Sequence, residues 1–184
     1  MSHHLDSPAS RRDPRLNVTD VYAFDGDGAT VLAMIVNTSL AGDGRIPGFH
    51  PEGRYEFKIH LDGAAADDDS AEYQRDTTAR PVDDPANDTG RVAAFVAAAA
   101  RRTGVSDPDG YGREVAARLL PDVLPYRVGT LASFTFAGFN GRALADNAPE
   151  VMYGLVTNSA VPTGLVASSA SETRQDKFPY VVPA

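Results

Sequence analysis

The chain contains no cysteine. That absence excludes disulfide staples, thiolate zinc sites, iron–sulfur clusters and a cysteine nucleophile. Tryptophan is missing as well, so large apolar contacts must come from Phe, Tyr and the aliphatic side chains. No apolar run approaches the roughly 20 residues that span a bilayer. Met1-Ser2-His3-His4 also lacks the basic and then apolar pattern of a secretory signal, and a cytoplasmic protein is the expectation. Basic residues are in deficit: 17 Lys and Arg stand against 25 Asp and Glu, a formal net charge of −8. Such a field repels polyanions, which argues against nucleic acid and anionic membrane as partners. The pairs Arg11-Arg12 and Arg101-Arg102 are too short to reverse it.

What is present suits a single domain over residues 1–184, long enough to bury a core without help from a metal. Val21 to Phe24 and Thr30 to Asn37 flank Asp25-Gly26-Asp27-Gly28-Ala29, which has turn chemistry, and together they predict a hairpin. The second of these strands is apolar on both faces and reads as covered on both. Arg54 to Asp62 alternates: Tyr55, Phe57, Ile59 and Leu61 share one face, Glu56, Lys58, His60 and Asp62 the other, which predicts a third strand. From Gly63 to Asp88 the composition turns to Ala, Asp, Thr, Pro and Asn. That stretch buries too little to offset its ordering entropy and reads as a long polar loop or linker.

Beyond the linker the period changes to that of helices. Arg91 to Arg102 places Val92, Phe95, Val96 and Ala99 at helical spacing, with Gly104 as a stop. Asp107-Pro108 supplies a cap and a first-turn proline for a second helix to Leu120, with Val115, Leu119 and Tyr111 inward. Asp146-Asn147 introduces a third over about Pro149 to Val156, burying Val151, Met152, Leu155 and Val156. Leu131 to Phe136 adds a strand or an extended edge. The fold expected is α+β, a mainly antiparallel sheet from the N-terminal third with two or three C-terminal helices packed on it.

Chemistry-bearing residues concentrate at the start. His3, His4 and Asp6 offer imidazole and carboxylate donors close in sequence, Asp20 at the mouth of the first strand adds an oxygen, and His60 with Asp62 lies on the polar face of the third. Mixed nitrogen and oxygen donors suit a divalent transition metal better than calcium. The competing reading is a solvated terminus. His50, in the Pro/Gly loop Gly44 to Gly53, is a catalytic candidate or a solvated loop histidine. Asn140-Gly141-Arg142 and Asp146-Asn147 read as a turn and a helix cap. Their functional version has Asn140, Arg142 and Asp146, with Tyr22, holding a substrate. Asp25 to Gly28 lacks the distal ligand of a calcium loop. Ser168 to Ser171 lacks a nucleophile elbow, and the glycines form no dinucleotide or phosphate-loop fingerprint.

The order of several segments resembles the bacterial family known as domain of unknown function 4331. These are Ser2-His3-His4-Leu5-Asp6-Ser7-Pro8, Asp13-Pro14, Asn17 to Phe24, Tyr55 to Asp62, Leu119 to Tyr126, Asn140 to Asn147 and Leu155 to Asn158. Members are typically longer, with a substantial central segment where this chain has only the polar stretch after Asp62. The resemblance therefore implies a compact member, and it carries no reaction, cofactor or partner with it.

Three functions follow from these residues. The first is a small enzyme acting on a small organic metabolite, of the kind found in bacterial secondary metabolism. In it His4, His50 or His60 moves protons and Asp6 or Asp20 orients the base, or a metal on His3, His4 and Asp6 assists. The second is a non-catalytic module binding a small molecule or a metal. The third is a structural, homo-oligomer-forming protein with Phe178 to Val182 as an intersubunit arm.

Overall fold

A computed structural model describes residues 8–37, 47–61, 85–120 and 123–182. Its elements in chain order are helix α1 (Pro8–Arg12), a 3-10 turn (Pro14–Leu16), strands β1 (Val18–Gly26) and β2 (Ala29–Val36), and helices α2 (Pro85–Arg102) and α3 (Pro108–Leu119). Strands β3 (Ser133–Thr135) and β4 (Gly138–Asn140), helix α4 (Ala148–Thr157) and a 3-10 turn (Ala167–Ala170) complete the order. The class is α+β: an N-terminal hairpin, a second two-stranded sheet and the three longer helices that follow residue 84. Contacts divide the chain into two compact units. One is Met1–Asp20 with Met34–Val123, the other Val21–Ala33 with Leu124–Ala184.

The core of the first unit is the seam between α2 and α3. Asp107 opens α3: its Oδ1 accepts the Gly110 N–H at 2.9 Å, and Pro108 fills the first turn, where no amide hydrogen is needed. Val96, Ala97 and Ala100 of α2 and Val115, Ala116 and Leu119 of α3 are buried. Burying a valine side chain contributes on the order of 2 kcal/mol. Small residues let the helices touch backbone to backbone. A β-carbon on Gly112 would stand 2.3 Å from the Ala93 carbonyl oxygen and 3.1 Å from Ala97 Cβ. An ion pair from Arg101 to Asp109 at 2.5 Å spans the same helices, but both side chains are more than half exposed and it adds little.

In the second unit the tip of the β1–β2 hairpin turns on Asp27 and Gly28, whose φ values of 51° and 78° are those of a two-residue type I′ turn. The C-terminal segment folds back on this tip. An Arg174–Val181 bridge closes it, and the Tyr180 ring meets Phe24 edge-on at 5.6 Å. Tyr180 of the segment read as an intersubunit arm thus packs on its own chain, while Phe178 and Val181 remain exposed. Strands β3 and β4 pair antiparallel with Phe134 opposite Phe139, and the two rings stack with centroids 4.1 Å apart. Asn147 caps α4, accepting the Glu150 N–H, and α4 ends at Asn158 in the left-handed region, where Asn is tolerated.

Several elements differ from the sequence reading. Residues 54–61 belong to neither sheet: alternation makes the chain extended, but a strand also needs a ladder partner, and neither described sheet includes this stretch. Its apolar side is open, with Phe57, Ile59 and Leu61 at 40, 62 and 92% exposure. Asp62 and residues 63–84 of the expected linker lie outside the described residues, and Pro85 to Asp88 are the first turn of α2. Strand β2 is not covered on both faces, since Leu32 and Ile35 are exposed. On α2 Val96 is inward as its spacing indicates, but Ala97 and Ala100 complete the stripe and Phe95 faces out, because a seam closed down to Gly112 has no room for a ring.

Candidate functional site

A network in the first unit fixes the loop that carries His50. Asp13 caps the short Pro14–Leu16 turn and binds Arg15 with both oxygens, Nε to Oδ1 at 3.0 Å and Nη2 to Oδ2 at 2.7 Å. The Tyr55 hydroxyl donates to the Arg15 carbonyl at 2.5 Å and accepts the His50 backbone N–H at 3.1 Å. The Glu52 N–H donates to His50 Nδ1 at 3.1 Å, so the neutral ring holds its proton on Nε2, which faces Asp13 Oδ2 at 3.7 Å. Nδ1 is thereby committed within the loop, while Nε2 is turned toward the Asp13 carboxylate. The Phe49 ring meets Tyr55 at 5.2 Å.

Electrostatics follow from this geometry. The Arg15 side chain, ahead of its backbone amide and charge and of the His50 charge, holds the Asp13 carboxyl down at about 2 against an ordinary 3.8, despite some opposing burial. The same bond raises the Arg15 guanidinium. A depressed folded-state pKa gives a contribution that is complete above the unfolded value and lost as pH falls through the folded one. Stability supplied by this clamp is therefore expected to hold above about pH 4 and to disappear on acidification toward pH 2. Acid titration of thermal midpoints checks this: Asp13→Asn should flatten that limb, and an unchanged profile would remove the clamp from the acid response.

The loop walls a small cavity. Val36 and Asn37 at the end of β2 face Pro47, Gly48 and Phe49 around a volume of about 250 Å³. Asn37 is buried, adopts φ 55°, and donates from Nδ2 to the Gly48 carbonyl at 3.1 Å, which ties one wall to the other.

In the second unit two of the residues read as substrate-binding, Tyr22 and Arg142, meet. Tyr22 and Arg142 are both buried, with the guanidinium carbon 4.3 Å from the ring centroid. Arg142 N–H donates to the Ala23 carbonyl at 2.9 Å, which anchors the residues after β4 to β1. Asn140 accepts from Arg127 N–H at 2.9 Å and donates to Thr130 Oγ1 and the Leu131 carbonyl. Asp146 Oδ2 accepts the Phe134 and Ala143 amides at 3.1 and 2.8 Å. These contacts make the set a clasp of the chain on itself.

The remaining candidates are dispersed. Asp20 is half-buried on β1 and His60 is exposed on residues 54–61, while His3, His4 and Asp6 lie outside the described residues. Among the described residues no three His, Asp or Glu side chains gather in a way that could hold a metal ion, and no helix is long and apolar enough to cross a membrane. Asp13, Arg15, Tyr55 and Asn37 were not singled out from sequence. Only Asp13-Pro14-Arg15 carries a local signal, an acid capping a proline-led turn with a cation two residues on. No family model, curated protein or solved structure matches the chain.

Proposed function

We propose that this protein is a non-catalytic binding module for a small organic molecule, seated between the end of β2 and the His50 loop, and acting in the cytoplasm as a compact member of the family it resembles. The observation that carries the reading is the cavity of about 250 Å³ whose wall, Pro47 to Phe49, is set by the Asp13–Arg15–His50–Tyr55 network. A wall fixed in advance lowers the ordering cost of binding. The cavity is smaller than a typical drug-sized pocket of roughly 300 Å³ or more, so it suits a compact ligand. Although Val36, Pro47 and Phe49 line it, the exposed surface of the cavity is more polar than apolar, which favours a compact ligand carrying hydrogen-bonding groups beside a small apolar part. Binding is supported over acid–base catalysis by His50 itself. A general base needs a nitrogen lone pair turned to the substrate, and that of Nδ1 is held by the Glu52 amide.

Thermal-shift measurements against aliphatic and aromatic amides, phenols and short-chain acids test the reading. A ligand at ten times its Kd stabilises by about 1.4 kcal/mol, a rise of roughly 3–5 °C for a chain of this size. Phe49→Ala should abolish the rise and Phe178→Ala, in the other unit, should leave it intact. A panel that moves nothing, or shifts that survive Phe49→Ala, would sink the proposal.

A further inference from the structure

Residues 54–61 have the pattern of a strand and lie outside both sheets. Tyr55 fastens one end to Arg15 and His50, and exposure rises along the apolar side from there through Phe57 and Ile59 to Leu61. On the other side Arg54 contacts Glu56, two residues on, as side chains on one face of an extended chain do. An exposed stretch with strand-like alternation and an open apolar side is a template for pairing with another chain.

We propose that this segment pairs antiparallel with its counterpart in a second copy of the chain, with Phe57 on the two-fold axis. The argument for a second copy is the order of charges. A two-fold interface matches each residue with a partner on both sides, i to j and j to i. With Phe57 opposite Phe57, Glu56 faces Lys58 twice, Tyr55 faces Ile59 twice, and all apolar side chains fall on one face. Sliding the register toward the N-terminus sets Glu56 on Glu56 and Arg54 on Lys58. Sliding it the other way sets Lys58 on Lys58. Parallel in-register pairing stacks each charge on itself, and like charges directly opposite are destabilising. Overall charge points the same way: the chain carries −8, yet the segment holds two basic residues against one acidic, so two copies meet here without the repulsion their remaining surfaces impose. The inference is independent of the cavity and of what binds there.

Sedimentation velocity over a concentration series tests it on the full chain. Wild type should self-associate reversibly to a dimer. Glu56→Lys and Lys58→Glu each turn two attractive pairs into two repulsive ones and should weaken association about tenfold or more. Mixed in equal amounts, the two variants complement each other at both positions and should associate as wild type does, as should the double variant alone. Circular dichroism confirms that each remains folded. Because the chain has no cysteine, Phe57→Cys gives a second readout. Directly opposed residues sit about 4.5–5.5 Å apart between Cα atoms, within disulfide range, so mild oxidation should link Phe57→Cys chains and leave Glu56→Cys chains unlinked. A wild type that stays monomeric at high concentration, charge reversals without effect, or a mixture that fails to recover would each overturn the proposal.

Discussion

Replacing Gly112 with alanine is expected to lower the thermal midpoint by roughly 4–8 °C, a loss of about 2 kcal/mol for a chain of this length. The direction is the informative part. In a helix interior alanine is favoured over glycine by about 1 kcal/mol, so propensity alone forecasts a more stable protein. Packing forecasts the reverse, since the added methyl would lie 2.3 Å from the Ala93 carbonyl oxygen and 3.1 Å from both Ala97 Cβ and its amide nitrogen. None of these is the end of a flexible side chain, so α2 and α3 must separate, and with them the contacts of Val96, Ala97, Ala100, Val115 and Ala116. Calorimetry decides between the two, and a raised midpoint would mean that the seam yields without cost.

Gly141→Ala should be worse, with a loss on the order of 3 kcal/mol or more, because strain and overlap act together. Gly141 has φ 71°, and a β-carbon there would stand 2.3 Å from the Ala23 carbonyl oxygen and 2.6 Å from Tyr126 Cδ2. That same carbonyl accepts the Arg142 N–H, so displacing it also disturbs the bridge that places Arg142 over Tyr22. Gly141→Asn separates the two causes. Asparagine tolerates a left-handed backbone but still carries a β-carbon; if overlap dominates, denaturant midpoints for Asn and Ala will fall alike, and a mild Asn variant would assign the loss to backbone strain.

Helices α3 and α4 were legible in sequence because their start signals are local: Asp107-Pro108 and Asn147 cap the turns that follow them. The inward face of α2 was legible only in part: Val96 is buried as its spacing indicates, but Phe95 is not. Counting apolar side chains favours Phe95, whereas the seam is built from alanines facing a glycine, and close approach leaves no mark on a hydrophobicity pattern. Residues 54–61 show the complementary limit: alternation specifies an extended chain and its faces, but pairing depends on a partner remote in sequence. The same holds for the site. His50 was conspicuous by its chemistry, but its setting depends on Arg15 and Tyr55, which meet across 40 positions. Tyr22, Asn140, Arg142 and Asp146 were grouped by residue type; Tyr22 and Arg142 meet, while Asn140 and Asp146 turn to neighbouring main chain.

Tyr55 has two duties. Its hydroxyl fastens the wall of the cavity to the N-terminal turn, and its main chain leads directly into the open stretch through Phe57, Ile59 and Leu61. Loop and stretch consequently share one anchor: a single phenol oxygen joins them to the N-terminal turn, and Tyr55→Phe would remove both of its hydrogen bonds in one step.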